Sequence, residues 1–167
     1  SLAKKTGFVS QNFSEATAQA LAPLEPFAAY VITQAIQRYG QNERSLFSFL
    51  NARGRNSLSE YEGKIYQLQC CYDYIYYNFY SYLKEANADS MQWSSMQVAI
   101  ERVEGQLWDT KTDLVDAIKL VKAIGLLNLF GNASFKMNRE DTALYARLSD
   151  MPAISSATFF LMEQISI

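Results

Sequence analysis

The sequence predicts an all-α, multi-helix bundle with a helix-turn-helix part at its C-terminal end. Three observations carry that prediction. Apolar residues recur at helical spacing along nearly the whole chain, strand-like alternation is scarce, and only seven glycines and three prolines punctuate 167 residues. A chain of this length can bury roughly 70% of the surface its unfolded form exposes, so it needs neither a disulfide nor a metal to fold.

The elements follow in order. Ser14 caps a first helix, which Pro23 and Pro26 interrupt. Pro26 suits the first turn of a second helix, which carries Phe27, Tyr30, Val31, Gln34 and Ile36 and ends at Gly40, read as a left-handed C-cap. Asn42 is the N-cap of the next helix, where Leu46, Phe49 and Leu50 share a face and which Gly54 stops. Residues 53–68 read as loop, with SLSE (Ser57–Glu60) as a capping box for a short helical turn.

The run CCYDYIYYNFYSYL, Cys70–Leu83, belongs to a stretch with seven tyrosines between Tyr66 and Tyr82. Aromatics favour strand, yet the run is long and passes into the strongly helical YLKEA, so helix is the better reading. Such a helix buries rings on two sides and leaves hydroxyls at the wet margin. Tyr72, Tyr76 and Tyr80, spaced by four, are its candidate partner-binding residues.

Asp89 with Gln92 begins a helix through Leu107 that buries Trp93, Met96, Ile100, Val103 and Leu107. Thr110 and Asp113 form a capping box for the helix Leu114–Phe130, with Leu114, Ile118, Val121 and Gly125 on one stripe and Val115, Ala123, Leu126, Leu127 and Phe130 widening it. Gly131 ends it, Asn138 caps a short helix to Leu148, and Pro152 opens a last one. Residues 1–110 thus form a helical, lid-like part. Residues 111–167 form a helix-turn-helix part, a truncated winged helix without its β-hairpin.

Composition removes several function classes. A net charge of −2 provides no general attraction to nucleic acid or anionic lipid. No apolar run reaches membrane-spanning length, and with no basic segment ahead of an apolar run no signal peptide is expected. Adjacent Cys70 and Cys71 cannot easily reach disulfide geometry, so they read as reduced, semi-buried thiols of a cytoplasmic protein. Ser1 stands where an initiator methionine would, as in a processed or excised fragment.

The chain has no histidine, which excludes histidine-based triads, metal ligands and acid–base catalysis. It has no GxxxxGK[ST] and no GxGxxG, so it lacks the usual phosphate cradles. The carboxylates Glu101, Glu104, Glu140 and Asp141 read as solvated helix charges. No catalytic residue and no metal site emerge, and the chain on its own is not expected to be an enzyme.

Three segments carry a family resemblance. EPFAAYVITQAIQRYGQNERSLFSFL, residues 25–50, resembles a stretch of large prokaryotic P-loop ATPases of the AAA+/STAND-like type. In those proteins a proline-started helix runs into a QNERSLFSFL-like sequence downstream of the nucleotide-binding core. YDYIYYNF, residues 72–79, resembles their later LYDYF segment, and LVKAIGLLNLFG, residues 120–131, resembles the helix that opens their winged-helix-like part. The likeness spans residues 26–167.

The resemblance implies a non-catalytic helical region that regulates or couples a P-loop ATPase. ATP and magnesium would belong to the full-length protein and not to this chain alone. The partner is then an upstream ATPase core in the same polypeptide, or another protein. Arg44, in the first turn of its helix and flanked by Gln41, Asn42 and Glu43, becomes the candidate nucleotide sensor. The plainer reading of Arg44 is an ion pair with glutamate that braces the helix start above a core of Leu46, Phe47, Phe49 and Leu50. Arg53 and Arg55 read as solvated.

Two other functions stay open: a free-standing helical adaptor that binds protein through its tyrosine face, and a DNA-binding helix-turn-helix. The second is weakened by the absence of any lysine or arginine after Arg147, which leaves Gln164 among a few neutral polar residues to read bases. Neither a membrane nor duplex DNA is an expected partner.

Overall fold

The computed structural model describes residues 2–8, 14–41, 43–51, 54–85, 88–132 and 135–151. Among them every regular element is helical: α1 (Leu2–Lys5), α2 (Glu15–Ala20), α3 (Pro26–Tyr39), α4 (Glu43–Asn51), a 3-10 turn (Leu58–Glu60), α5 (Leu68–Asn78), α6 (Tyr80–Lys84), α7 (Ser90–Glu104), α8 (Lys111–Phe130) and α9 (Arg139–Leu148). The chain is all-α. Its elements gather into two compact units, residues 3–87 and residue 88 onward. The boundary expected after residue 110 lies within the second of these, where α7 packs on α8.

In the first unit α3 supplies the central apolar stripe, burying Phe27, Ala28, Val31, Ile32, Ala35, Ile36 and Tyr39. It packs against α5, where the buried Cys71 thiol points at the Ala28 carbonyl, 3.5 Å away. An isolated parallel bridge between Leu24 and Tyr66 ties the entry of α3 to the entry of α5, through Glu25 N–H to the Tyr66 carbonyl at 3.0 Å and Tyr66 N–H to the Pro23 carbonyl at 2.8 Å. Ser14 caps α2 as the sequence predicts, its Oγ accepting the Thr17 N–H at 3.2 Å.

Gly40 ends α3, but in extended backbone at φ −103° and not as a left-handed cap. Crowding explains the glycine instead. A Cβ there would lie 2.7 Å from the Ile36 carbonyl oxygen and 2.7 Å from Ser45 Oγ. Ser45 turns back over the corner to accept the Gln41 N–H at 2.8 Å, so the α3–α4 connection is clamped by a side chain from the helix it leads into. Gly40→Ala should therefore lower stability by about 1–3 kcal/mol in a denaturant titration, because a backbone carbonyl cannot rotate away. A neutral result would show that the corner can open.

The Ser57–Glu60 segment does make a helical turn, but the expected capping box is absent. Buried Ser57 makes no cap bond, and its Oγ lies 3.0 Å from Ser59 Oγ. The tyrosine run is helical with a break at Phe79 (φ −113°, ψ 16°). Asn78 sits beside that break, its Nδ2 donating to the Tyr74 carbonyl at 2.9 Å in competition with the backbone ladder.

In the second unit α7 buries Trp93, Met96, Ala99, Ile100 and Val103. Leu107, expected in that stripe, is 99% exposed. The helix stops at Glu104, short of Leu107, and Trp108 folds back to donate its indole N–H to the Val103 carbonyl at 2.7 Å. Asp89 makes no side-chain cap bond.

Thr110 caps α8, accepting the Asp113 N–H at 3.1 Å. The buried stripe of α8 runs through Ala117, Leu120, Val121, Ala123, Leu126, Leu127 and Phe130, while Val115 is exposed and Leu114 and Ile118 are half-buried. Asn138 and Asp141 form a reciprocal capping box on α9, which makes Asp141 a buried structural group and not a solvated charge. Only the first two helices of the expected helix-turn-helix fall among the described residues; the helix expected from Pro152 lies outside them.

Candidate functional site

Helix α4 is built against its own pattern. Phe49 is fully buried, meeting Tyr66 and Tyr74 edge-on with ring centroids 5.5 and 4.9 Å away. The other inward positions hold small polar residues, the half-buried Ser45 and Ser48. Leu46, Phe47 and Leu50, expected as core, are 40%, 65% and 39% exposed. One turn separates Leu46 from Leu50, and Phe47 lies beside them, so the three form one outward stripe. Leaving a phenylalanine outside forgoes about 1.5–3 kcal/mol that burial would supply.

The stripe is bordered by the candidate sensor. Arg44 is exposed in the first turn of α4. Its backbone N–H donates to the Gln41 carbonyl at 3.2 Å, and its guanidinium has no ion pair among the described residues, with Glu43 or otherwise. The helix-brace expectation therefore fails at its central contact: Glu43 and Arg44 both project to solvent. Gln41 is exposed as well, with its N–H held by Ser45; Asn42 lies outside the described residues.

The three tyrosines picked from the sequence are brought together, at graded depth. Tyr72 is buried, Tyr76 half-buried and Tyr80 exposed. Tyr72 and Tyr76 stack nearly parallel with centroids 5.9 Å apart, and Tyr80 meets Tyr76 edge-on at 5.4 Å. Sequence reading missed two cations over the outer rings. Arg55 lies 4.9 Å from the centre of Tyr77, and Lys84 Nζ lies 5.4 Å from the centre of Tyr80. The Lys84 spacing was legible, since it continues the step of four from Tyr80; the Arg55 contact depends on how residues 54–67 fold.

Beneath this surface burial keeps one thiol and three phenols protonated. Burial, aided by the nearby Cys70, Glu25 and Asp73, pushes the Cys71 thiol well up, so it is no nucleophile at neutral pH. Burial also raises the Tyr66 and Tyr74 phenols, and burial followed by Cys70 raises Tyr61. The Tyr66 hydroxyl lies 2.7 and 3.1 Å from the carbonyls of Asn56 and Cys70, a fastening for the loop before α5. Neither cysteine is in a disulfide. Among the described residues no acidic or thiol cluster could hold a metal, and no helix is long and apolar enough to cross a membrane.

Comparison with protein-family models, with curated proteins and with solved structures returns no match.

Proposed function

We propose that this chain is a non-catalytic helical coupling region of a P-loop ATP-binding protein, docked on the nucleotide-binding core through the outward stripe of α4. The core lies upstream in the same polypeptide or in a separate cytoplasmic protein, and it supplies the phosphate loop, ATP and magnesium. One observation carries the reading: in the segment of the QNERSLFSFL likeness, Leu46, Phe47 and Leu50 face out while Ser45, Ser48 and Phe49 face in. Exposed apolar stripes of this kind mark contact surfaces. An exposed Arg44 on the rim could then reach a phosphate held by the core, as a positioned guanidinium does in phosphoryl transfer.

The test uses the full-length protein that contains the core. Arg44→Ala should lower ATP turnover about tenfold, or about 1.4 kcal/mol of barrier, while the melting temperature stays put. Phe47→Ser should lower turnover in the same way by loosening the dock. A reading frame and binding partners without any phosphate loop, or normal turnover in both variants, would sink the proposal.

A second reading, a free-standing adaptor for a protein partner, is favoured by the exposed Tyr77, Tyr80 and Tyr82. Residues 152–167 carry no lysine or arginine to meet phosphate, so under either reading the helix-turn-helix expected from the sequence is assigned to packing or partner contact and not to DNA.

A further inference from the structure

We propose that the tyrosine face of α5 and α6 is a docking surface for an acidic segment of a protein partner. The proposal rests on reading the chain as an interaction module, and it concerns a surface other than the α4 stripe. Two observations point to the chemistry of the occupant. The face is aromatic and exposed, with Tyr77 53% and Tyr80 47% accessible. It also carries two exposed cations that pair with rings and, among the described residues, with no carboxylate. Each cation is thus left able to take a carboxylate from a partner.

The surface is also preorganised. Arg55 is held at two points, its side chain over Tyr77 and its carbonyl accepting the Asn78 side-chain amide at 3.3 Å. Tyr80 is anchored through Tyr76 to the buried Tyr72. Tyrosine and arginine fixed in this way lose little conformational freedom on binding, and they are the residue types that dominate interface energetics.

A single-stranded nucleic acid is the lesser fit. Two cations release counterions from about two phosphates, a weak salt-dependent attraction that the net negative charge opposes. The cations also cover faces of the outer rings, so a base would have to displace them before stacking. A carboxylate can approach either cation from the side away from its ring, and apolar side chains of the same segment can lie against the tyrosine edges.

The test is fluorescence anisotropy on the whole chain with three probes. They are a set of labelled dodecapeptides carrying acidic residues around two leucine or phenylalanine anchors, the same set with lysine in place of each acid, and oligothymidylate. The acidic set should bind and the basic set should not. The double variant Arg55→Glu with Lys84→Glu should weaken the acidic set at least about tenfold and gain the basic set, and Tyr80→Ser should weaken binding without altering the thermal melt. Equal binding of both peptide sets, no binding by the acidic set, or oligothymidylate binding tighter than every peptide would overturn the proposal. Phe47→Ser separates the two surfaces: it should leave peptide binding intact. Normal turnover in both Arg44→Ala and Phe47→Ser alongside the expected peptide results removes the coupling reading and leaves this one standing.

Discussion

Phe49→Ala should lower the unfolding free energy by about 3–5 kcal/mol, while Phe47→Ala, two residues away on the same helix, should change it by no more than about 0.5 kcal/mol. Phe49 is fully buried and leaves a void between two tyrosine rings that the aromatic web cannot readily refill. Tyr74 in turn meets Phe79 at 6.3 Å, and Phe79 meets Tyr39 at the same distance, so the loss spreads from α4 through α5 to α3. Phe47 touches mostly water and loses little. Guanidinium titrations of both variants read the difference directly. A large loss for Phe47 with a small one for Phe49 would mean that α4 is rotated, and with it the surface assigned to docking.

Gly125→Val should destabilise by about 1–3 kcal/mol or somewhat more, although removing a glycine from a helix interior ordinarily helps. The reason is Met96. A Cβ on residue 125 would collide with its Sδ and Cγ, and the buried Met96 would have to leave its packed position to make room. Met96→Ala alone creates a cavity and costs about 2–5 kcal/mol. Together the two changes should cost less than their sum by about 1 kcal/mol or more, since the new valine fills the space the methionine left. Strict additivity in that double-mutant cycle would show that α7 and α8 do not cross at this point.

These contrasts show where the sequence was readable. Four helix starts came through because caps and prolines act within one turn: Ser14, Pro26, Thr110 and Asn138 all sit where local chemistry puts them. Which face goes inward was harder. In α4 the apolar residues Leu46, Phe47, Phe49 and Leu50 span about 160° of the helix circumference with Phe49 at one edge, so periodicity points inward at the Leu46–Leu50 side whereas the structure buries only the Phe49 edge. Leu107 failed for a related reason, because the helical stripe was extended past Glu104 while an indole hydrogen bond from Trp108 was closing the turn. Arg44, Tyr76 and Tyr80 were legible as candidates from spacing and likeness. The cations over the tyrosines were not, since Arg55 reaches Tyr77 only across a loop.

The division into two units has a practical consequence for anyone watching this chain unfold. Both tryptophans, Trp93 and Trp108, lie after residue 88, whereas every one of the 11 tyrosines except Tyr145 lies before it. Red-edge excitation therefore reports the second unit alone, and the near-ultraviolet tyrosine dichroism reports the first almost alone. Nature has placed a separate dye in each half. A single denaturation followed at both wavelengths reveals, without any label or substitution, whether the halves melt as one cooperative body or as two.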